Sequence, residues 1–498
     1  MLHPLLYEIN TRCWLRELSQ KHGRPVTLAN IGEEDLKGWR RLGFTHIWLM
    51  GVWTAGPRSR EQALAKPQRQ HYTEVLPDLT EADVGGSPYA VADYVVAPGL
   101  GGNAGLAQFR SRLQSEGLKL LLDFVPNHVG VDHPWLREKP HLFVQRQNAG
   151  PGTFSQATVA GSRQIAFGKD PYFPPWTDTA QLDYRRPDTR QEMLRLLTSI
   201  AGLCDGVRCD MAMLVLNEVF LKNWQSFPSS AAKPSTEFWA EAIGHIKQRY
   251  THFLFLAEAY WGTEPRLHAL GFDHTYDKEL YDKLVSQDGA GAQEHLLRKS
   301  SEEISAGAHF LENHDEPRIA SLLSLPEHRA AALLALSLPG MRFLHQGQLS
   351  GAQRHVPVQL LRRPIEPVQP EIENMYEQML STLRTTAVGP SSGELLRPRA
   401  AWPENPTSRN FIVVQWHGNS AGFHLVVVNL APHRGQCFVP VSVPELSKHN
   451  WAMRDCLGQN NSSALGRSWN STAFFWTCQP TEPSSSNLNP VNASSATI

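Results

Sequence analysis

The chain predicts an α/β protein: a (β/α)8 barrel with a small domain inserted after strand 3, followed by a C-terminal antiparallel β-sandwich. Three observations predict it. Short apolar runs alternate with amphipathic helical patterns through most of the 498 residues, the signature of repeated βα units around a parallel sheet. The stretch 130–182 is rich in Pro, Gly and aromatic residues and is too long for an ordinary connecting loop. Beyond Pro398 the pattern changes to alternation broken by turn signals, which favours antiparallel strands.

Eight strands are read in chain order: LLYEINTR, THIWLMGVW, LKLLLDFVPNH, CDGVRCDMA, HFLFLAEAY, FDHTYD, HFLENHD and MRFLHQGQ. Helical spacing fills intervals between them, as in NAGLAQFRSRLQSEG, TRQEMLRLLTSIAGL, TEFWAEAIGHIKQRY and PEHRAAALLALSLPG, and EIENMYEQMLSTLRTT follows the eighth strand. Eight such alternations predict a barrel whose active site lies where the strands end. The barrel is expected over 1–129 and 183–390, and the inserted domain over 130–182, above the barrel mouth. NFIVVQWHG, FHLVVVNLA, QCFVPVSV and TAFFWTC supply the strands of a sandwich over 395–480. The Ser/Asn-rich tail 481–498 is expected to be disordered. No internal repeat is present beyond the βα alternation.

Composition narrows the function classes. With 41% hydrophobic residues, 19% charged residues and a formal net charge of -1, the chain offers no electrostatic basis for a nucleic-acid partner or an anionic membrane. No apolar run approaches membrane-spanning length. The opening segment MLHPLLYEINTRCWLRELSQ is interrupted by His3, Glu8 and Arg12 and has no legible secretory leader. Six cysteines without CxxC spacing are expected to be reduced thiols in a cytoplasm. The sequons at Asn460, Asn461, Asn470 and Asn492 are then chance matches in a polar region. Nothing in the composition bears on oligomeric state.

The chemistry concentrates at strand ends. In GVRCDMAML, residues two apart on a strand share a face, so Arg208 and Asp210 project together and the guanidinium is expected to hold the carboxylate ionised. Such a pair is either a buried ion pair or a nucleophile. DFVPNH adds Asp123, Asn127 and His128; AEAY adds Glu258; ENHDEPR adds Glu312, Asn313, His314 and Asp315. Carboxylates crowded at one mouth raise each other's pKa, and burial disfavours their ionisation. Cleavage of a glycosidic bond needs that separation of roles. One ionised carboxylate attacks the anomeric carbon and one protonated carboxylic acid protonates the leaving oxygen. Arg208 is expected to depress Asp210, and the apolar FLFLA run to raise Glu258, which makes Asp210 the nucleophile. A hydrolytic metal site competes for the same residue types, but the chain has no H-x-H or H-E-x-x-H, so no catalytic metal is expected.

Four segments in order, DFVPNH, GVRCDMA, FLAEAYWG and FLENHD, together with SPYAVADY, resemble the characteristic regions of the α-amylase superfamily of glycoside hydrolases (family 13). The likeness runs over about residues 1 to 480 and includes the insertion and the sandwich. It implies Asp210 as nucleophile, Glu258 as general acid/base and Asp315 as the third carboxylate, which orients the sugar. It further implies that Arg208, His128 and His314 grip the glucose at the cleavage point and that Tyr89 stacks on it. Asp123 and Asn127 match positions that are often structural, and in some members the asparagine binds calcium. No cofactor is otherwise implied. The mechanism implied is retaining double displacement on an α-glucan or malto-oligosaccharide, with the catalytic carboxyl groups about 5 to 5.5 Å apart.

Two departures bear on the reaction. After the nucleophile, endo-acting amylases carry alanine and a Lys-His pair on the leaving-group side, whereas here Met211, Ala212, Met213 and Leu214 follow Asp210. After the stacking tyrosine, many exo-acting α-glucosidases carry aspartate, and here Ala90 follows Tyr89. Trp53, Trp135, Tyr172, Phe173 and Trp176 are candidate sugar platforms, since apolar sugar faces stack on aromatic rings; Trp176 leads them. The expected protein is a cytoplasmic, retaining α-glucan hydrolase that cleaves α-glucosidic linkages, α-1,4 being the expected kind. A glycosyltransferase using the same glycosyl enzyme and a non-catalytic glycan-binding scaffold are the alternatives.

Overall fold

The computed structural model describes residues 3–159, 161–418, 422–441, 450–457, 473–481 and 496–497. Eight parallel strands close into a barrel: β1 (Leu5–Asn10), β2 (His46–Met50), β3 (Lys119–Phe124), β4 (Gly206–Cys209), β5 (Leu254–Ala257), β6 (His274–Tyr276), β7 (Gly307–His309) and β8 (Met341–His345). The first strand pairs with the last, Leu5 standing opposite Arg342. Both faces of such strands are covered, which explains their near-continuous apolar runs. Alternate residues divide between two layers. Leu6, Trp48, Leu121, Leu256, Tyr276, Met341 and Phe343 fill the interior, while Ile47, Leu49, Leu122, Val207 and Phe255 belong to the core outside it.

Among the longer helices are Gly102–Ser115, Pro187–Ala201, Phe238–Arg249, Leu325–Ser337 and Pro370–Arg384. Ser324 and Glu327 form a capping box at the fourth, satisfying N–H groups that a helix start leaves open. That helix is buried on nearly every side, because the C-terminal sheet covers its outer surface and Trp416 Nε1 donates to Ser337 O at 2.9 Å. The apolar run AALLALS is the sequence trace of that double burial.

The seventh strand differs from its expected span. HFLENHD was expected to be extended throughout, but β7 ends at His309. Side chains just beyond it take up backbone N–H groups that a ladder would have used. Asn313 Oδ1 accepts from the N–H groups of Asp315 and Glu316, both at 2.9 Å, and Glu312 Oε2 accepts from Ile319 N at 2.7 Å. An Asx turn of this kind curls the chain over the mouth.

After β3, His128–Gly130 pairs antiparallel with Thr179–Gln181, so the intervening chain leaves and re-enters beside the barrel mouth. It carries a three-stranded sheet of Gln145–Arg146, Gly161–Ala166 and Thr153–Thr158. Gly130 has no room for a side chain: a Cβ there would lie 2.5 Å from Ala90 O. A second excursion, not anticipated from the sequence, follows β2. Trp53–Ala55 pairs with Val91–Val96, and two short helices, Pro57–Ala63 and Lys66–Val75, lie between them. Ala63, Tyr72, Leu76 and Val84 pack with Val356 and Leu360 into a separate small core. This places Tyr89 beside the mouth.

The C-terminal region is built of two antiparallel sheets. One runs Gly393–Leu396, Phe411–His417, Phe423–Asn429, Ala473–Thr481, Asn450–Asp455, and the other joins Arg399–Ala400, Cys437–Val439 and Ala496–Thr497. Phe411, Val413, Leu425 and Val427 pack with Cys437 and Val439, while Ile412, Val414, Trp416, Val426 and Val428 join the main core. The tail expected to be disordered lies outside the described residues apart from Thr481 and the pair Ala496–Thr497. The four sequons also lie outside them. Among the described residues no helix is long and apolar enough to cross a membrane.

Candidate active site

Arg208 organises the mouth. Its side chain is fully buried, with Nη1 2.7 Å from Asp210 Oδ1 and Nη2 2.8 Å from Glu258 Oε2. Parallel register accounts for the convergence, since Arg208 is level with Asp123 on one side and Leu256 on the other, and strand neighbours point alternately in and out. The guanidinium lies 5.2 Å from the ring centre of Trp48, 5.4 Å from that of Tyr89 and 5.6 Å from that of Tyr276. Its Nε donates to the Tyr276 hydroxyl at 3.2 Å. Aromatic faces hold a cation without neutralising it, which keeps the full charge available to the two carboxylates.

The expected electrostatic split is corrected in one respect. Arg208 does not hold Asp210 below the ordinary carboxylate range: burial pushes Asp210 up, and the ion pair opposes that only in part. Glu258 follows expectation, for burial pushes it up to about 7, with Asp210 and Asp315 adding to the effect and Arg208 opposing it. Two acids against one guanidinium therefore leave Glu258 as the group that retains a proton near neutral pH.

Both oxygens of Glu258 are engaged. Oε2 accepts from Met211 N at 2.7 Å and Oε1 accepts from the Tyr260 hydroxyl at 2.8 Å. Met211, directly after Asp210, has φ 43°, a left-handed conformation uncommon for residues other than glycine.

The third carboxylate is set by a histidine. His314 Nε2 is 2.9 Å from Asp315 Oδ2, and Nδ1 is paired with Glu8 of β1. Burial alone would lower the His314 pKa, but Asp315 and Glu8 outweigh it and hold it well above the usual imidazole value. Burial would likewise raise Asp315, but His314 and Arg208 bring it down to about 2. Tyr89 stacks on the His314 ring, with centroids 5.3 Å apart and planes inclined by 23°, and its hydroxyl lies 2.8 Å from Nε2.

His128 lines the same cleft. Burial lowers it to about 4, so it is a neutral ring at physiological pH. Trp176 packs against it, ring centres 5.2 Å apart. Asp123 sits deeper, accepting from Trp48 Nε1 at 3.1 Å and Gly51 N at 2.9 Å. Asn127 does not suit calcium. Its amide oxygen accepts from Gln181 Nε2 at 2.9 Å, and its Nδ2 lies 3.3 Å from His128 Nδ1. Among the described residues no group of three or more His, Cys, Asp and Glu side chains is placed to hold a metal ion.

These residues face a cleft of about 1350 Å³. Asp210, Glu258, Asp315, Tyr89, His128 and Trp176 line it together, and Arg208 lies beneath. Of the other aromatic candidates, Phe173 lines the cleft and is 70% exposed, as Tyr172 is at 69%. Trp53 is buried with its Nε1 on Asp123 O at 2.8 Å, and Trp135 packs on His133 at 4.7 Å; neither lines the cleft. Sequence reasoning passed over Glu8, Tyr260, Tyr276 and the backbone of Met211. Tyr260 was legible as a polar residue two positions after Glu258. Glu8 could have been found as the lone carboxylate in the apolar first strand.

Comparison with known proteins agrees with this architecture. A family model described as alpha amylase, catalytic domain, matches residues 33–150. A relative from Haloarcula japonica named alpha-amylase MalA is 27% identical over 279 residues, which is 53% of this chain and 36% of that protein; the match thus spans about a third of the relative. A noncanonic maltogenic alpha-amylase from Thermotoga neapolitana shares the fold, with a TM-score of 0.63 and 19% identity over 96% of both chains. A debranching enzyme from Nostoc punctiforme does so with a TM-score of 0.62 and 15% identity, again over 96% of both. The ordered motifs, the closed parallel barrel and these matches make the chain similar to the α-amylases, and its likeness to the solved structures is one of fold.

Proposed function

We propose that this protein is a retaining glycoside hydrolase that cleaves α-glucosidic bonds in α-glucans, α-1,4 bonds first among them. The observation that carries the reading is the shared guanidinium. One Arg208 reaches both Asp210 and Glu258 only if the two carboxyl groups lie close together. That favours the about 5 to 5.5 Å of direct attack over the roughly 6.5 to 9.5 Å that leaves room for a water.

In the first step Glu258 gives its proton to the glycosidic oxygen, the bond from that oxygen to the anomeric carbon breaks, and the Asp210 carboxylate bonds to that carbon. In the second step the Glu258 carboxylate takes a proton from water, the water oxygen bonds to the anomeric carbon, and Asp210 departs as a carboxylate. Asp315, kept ionised by His314, faces the same sugar and opposes the positive charge that develops on it. Tyr89 supplies an aromatic face and His128 a neutral ring for sugar hydroxyls. Buried thiols at Cys13, Cys204, Cys209 and Cys437 support a cytoplasmic setting.

A second reading is transfer to a sugar acceptor. It draws on Met211 and Trp261, which line the cleft, Trp261 being 43% exposed, and on the contact of Trp261 with Tyr172 at 5.0 Å. Apolar walls on the acceptor side favour a sugar face over water. A time course on maltoheptaose, resolved by size and anomer, tests both readings. Shorter α-anomeric products support hydrolysis with retention, longer products support transfer, and β-anomeric products overturn the retaining mechanism. Asp210→Asn is expected to lose turnover while still binding maltoheptaose in calorimetry.

A further inference from the structure

We propose that Tyr260 is a positioning residue for the acid: its hydroxyl holds Oε1 of Glu258 and makes that oxygen the proton carrier, while Met211 and Arg208 fix Oε2. The inference rests on the reading of Glu258 as the acid/base. It follows from what each oxygen faces. Oε2 accepts from the Met211 N–H at 2.7 Å and lies 2.8 Å from the positive Arg208 Nη2, so a proton on Oε2 would face a donor hydrogen and a cation. Oε1 meets a hydroxyl at 2.8 Å, the one neighbour able both to donate and to accept. The acid proton therefore belongs on Oε1.

The backbone supports this division. Met211 keeps its left-handed φ of 43° with its N–H on Glu258, and backbone strain of this kind persists where the surroundings over-determine it. Ala212 N donates to Glu258 O at 3.0 Å and Glu258 N to Cys209 O at 3.0 Å, tying the acid to the end of β4. Tyr260 itself stays a phenol, since burial and the Glu258 carboxylate raise its pKa well above 10.

The hydroxyl thus turns with the reaction. It accepts from Glu258 while the acid is protonated and donates to Oε1 once the proton has gone to the glycosidic oxygen. Losing it withdraws a donor from the carboxylate form, so the alkaline limb of the rate profile moves upward.

The test compares wild type, Tyr260→Phe and Glu258→Gln on maltoheptaose and on a 2,4-dinitrophenyl α-maltoside, whose leaving group departs without acid help. For Tyr260→Phe the expected result is an alkaline limb raised by about one pH unit, as loss of one hydrogen bond to a charged group implies. Its kcat on maltoheptaose should fall about tenfold more than on the dinitrophenyl glycoside, part of the about 10²–10⁴ that general acid catalysis supplies. Tyr260→3-fluorotyrosine, which keeps the shape and donates more strongly, should move the limb downward. A change confined to KM, with the limb unmoved in both variants, overturns the proposal and leaves Tyr260 as a sugar platform. If Glu258→Gln retains full activity on maltoheptaose, the reading of Glu258 falls instead.

Discussion

Glu8 and His314, 306 positions apart in the chain, are paired inside the barrel mouth, with the carboxylate of the first strand on Nδ1 of the histidine beyond the seventh. The other ring nitrogen is 2.9 Å from Asp315, so Glu8 acts on the third carboxylate through the imidazolium.

Glu8→Gln is expected to lower the His314 pKa, because one of the two carboxylates that raise it is removed. A raised histidine is charged below its folded pKa, so weakening the pair loses the imidazolium at high pH first. On maltoheptaose, kcat/KM should fall about tenfold above neutral pH, the factor that about 1.4 kcal/mol of lost stabilisation produces, and recover towards acid pH. A uniform loss at all pH values would show that Glu8 only packs.

The wild-type profile should lose activity on the alkaline side as Glu258, pushed up to about 7, gives up its proton. Above that value kcat/KM is expected to drop about tenfold per pH unit. Arg208→Met leaves two buried carboxylates without their shared cation, and breaking such a pair costs about 3–5 kcal/mol. Urea unfolding of the variant should show a loss of that order, together with loss of turnover.

Two buried histidines at strand starts, His46 and His274, are lowered by burial to about 3. The unfolded chain protonates them near 6.5, so it binds more protons than the native state between those values, and stability falls as pH falls through that window. Denaturant midpoints measured from neutral pH down to about 4 should decline, and His46→Gln/His274→Gln should flatten the slope. An unchanged slope would assign acid lability to other groups.

Gly168 lies directly behind His128 at the candidate site. A Cβ there would meet Thr179 Oγ1 at 2.5 Å and the His128 Cβ at 3.2 Å. Gly168→Ala should displace the His128 ring and raise KM for maltoheptaose about tenfold, a loss of about 1.4 kcal/mol of binding, with the Glu258 limb unmoved. A normal KM would mean that the loop absorbs the methyl group.

The sequence made legible what period-two alternation controls. Alternation put Arg208 and Asp210 on one face, and the gathering of Asp123, Arg208 and Glu258 at one mouth followed from the rule that a barrel's active site lies where its strands end. The shift of Asp210 was not legible, because it is a contest between burial and an ion pair, and only the packed barrel sets the burial. Tyr89 was named from its motif, yet the two short helices of the excursion that carries it were not read from the sequence. The seventh strand was read too far, since the Asx turn at Asn313 depends on side-chain bonds and not on apolar spacing.

Leu5 finds its partner Arg342 only after more than three hundred intervening residues have been made. During synthesis β1 therefore waits with one edge unpaired, as does each newly added strand until the next arrives. Exposed edges and slow long-range closure are conditions under which chains associate wrongly. A ribosome-bound chain ending before Met341 should accordingly engage holding chaperones, and release should coincide with emergence of the eighth strand.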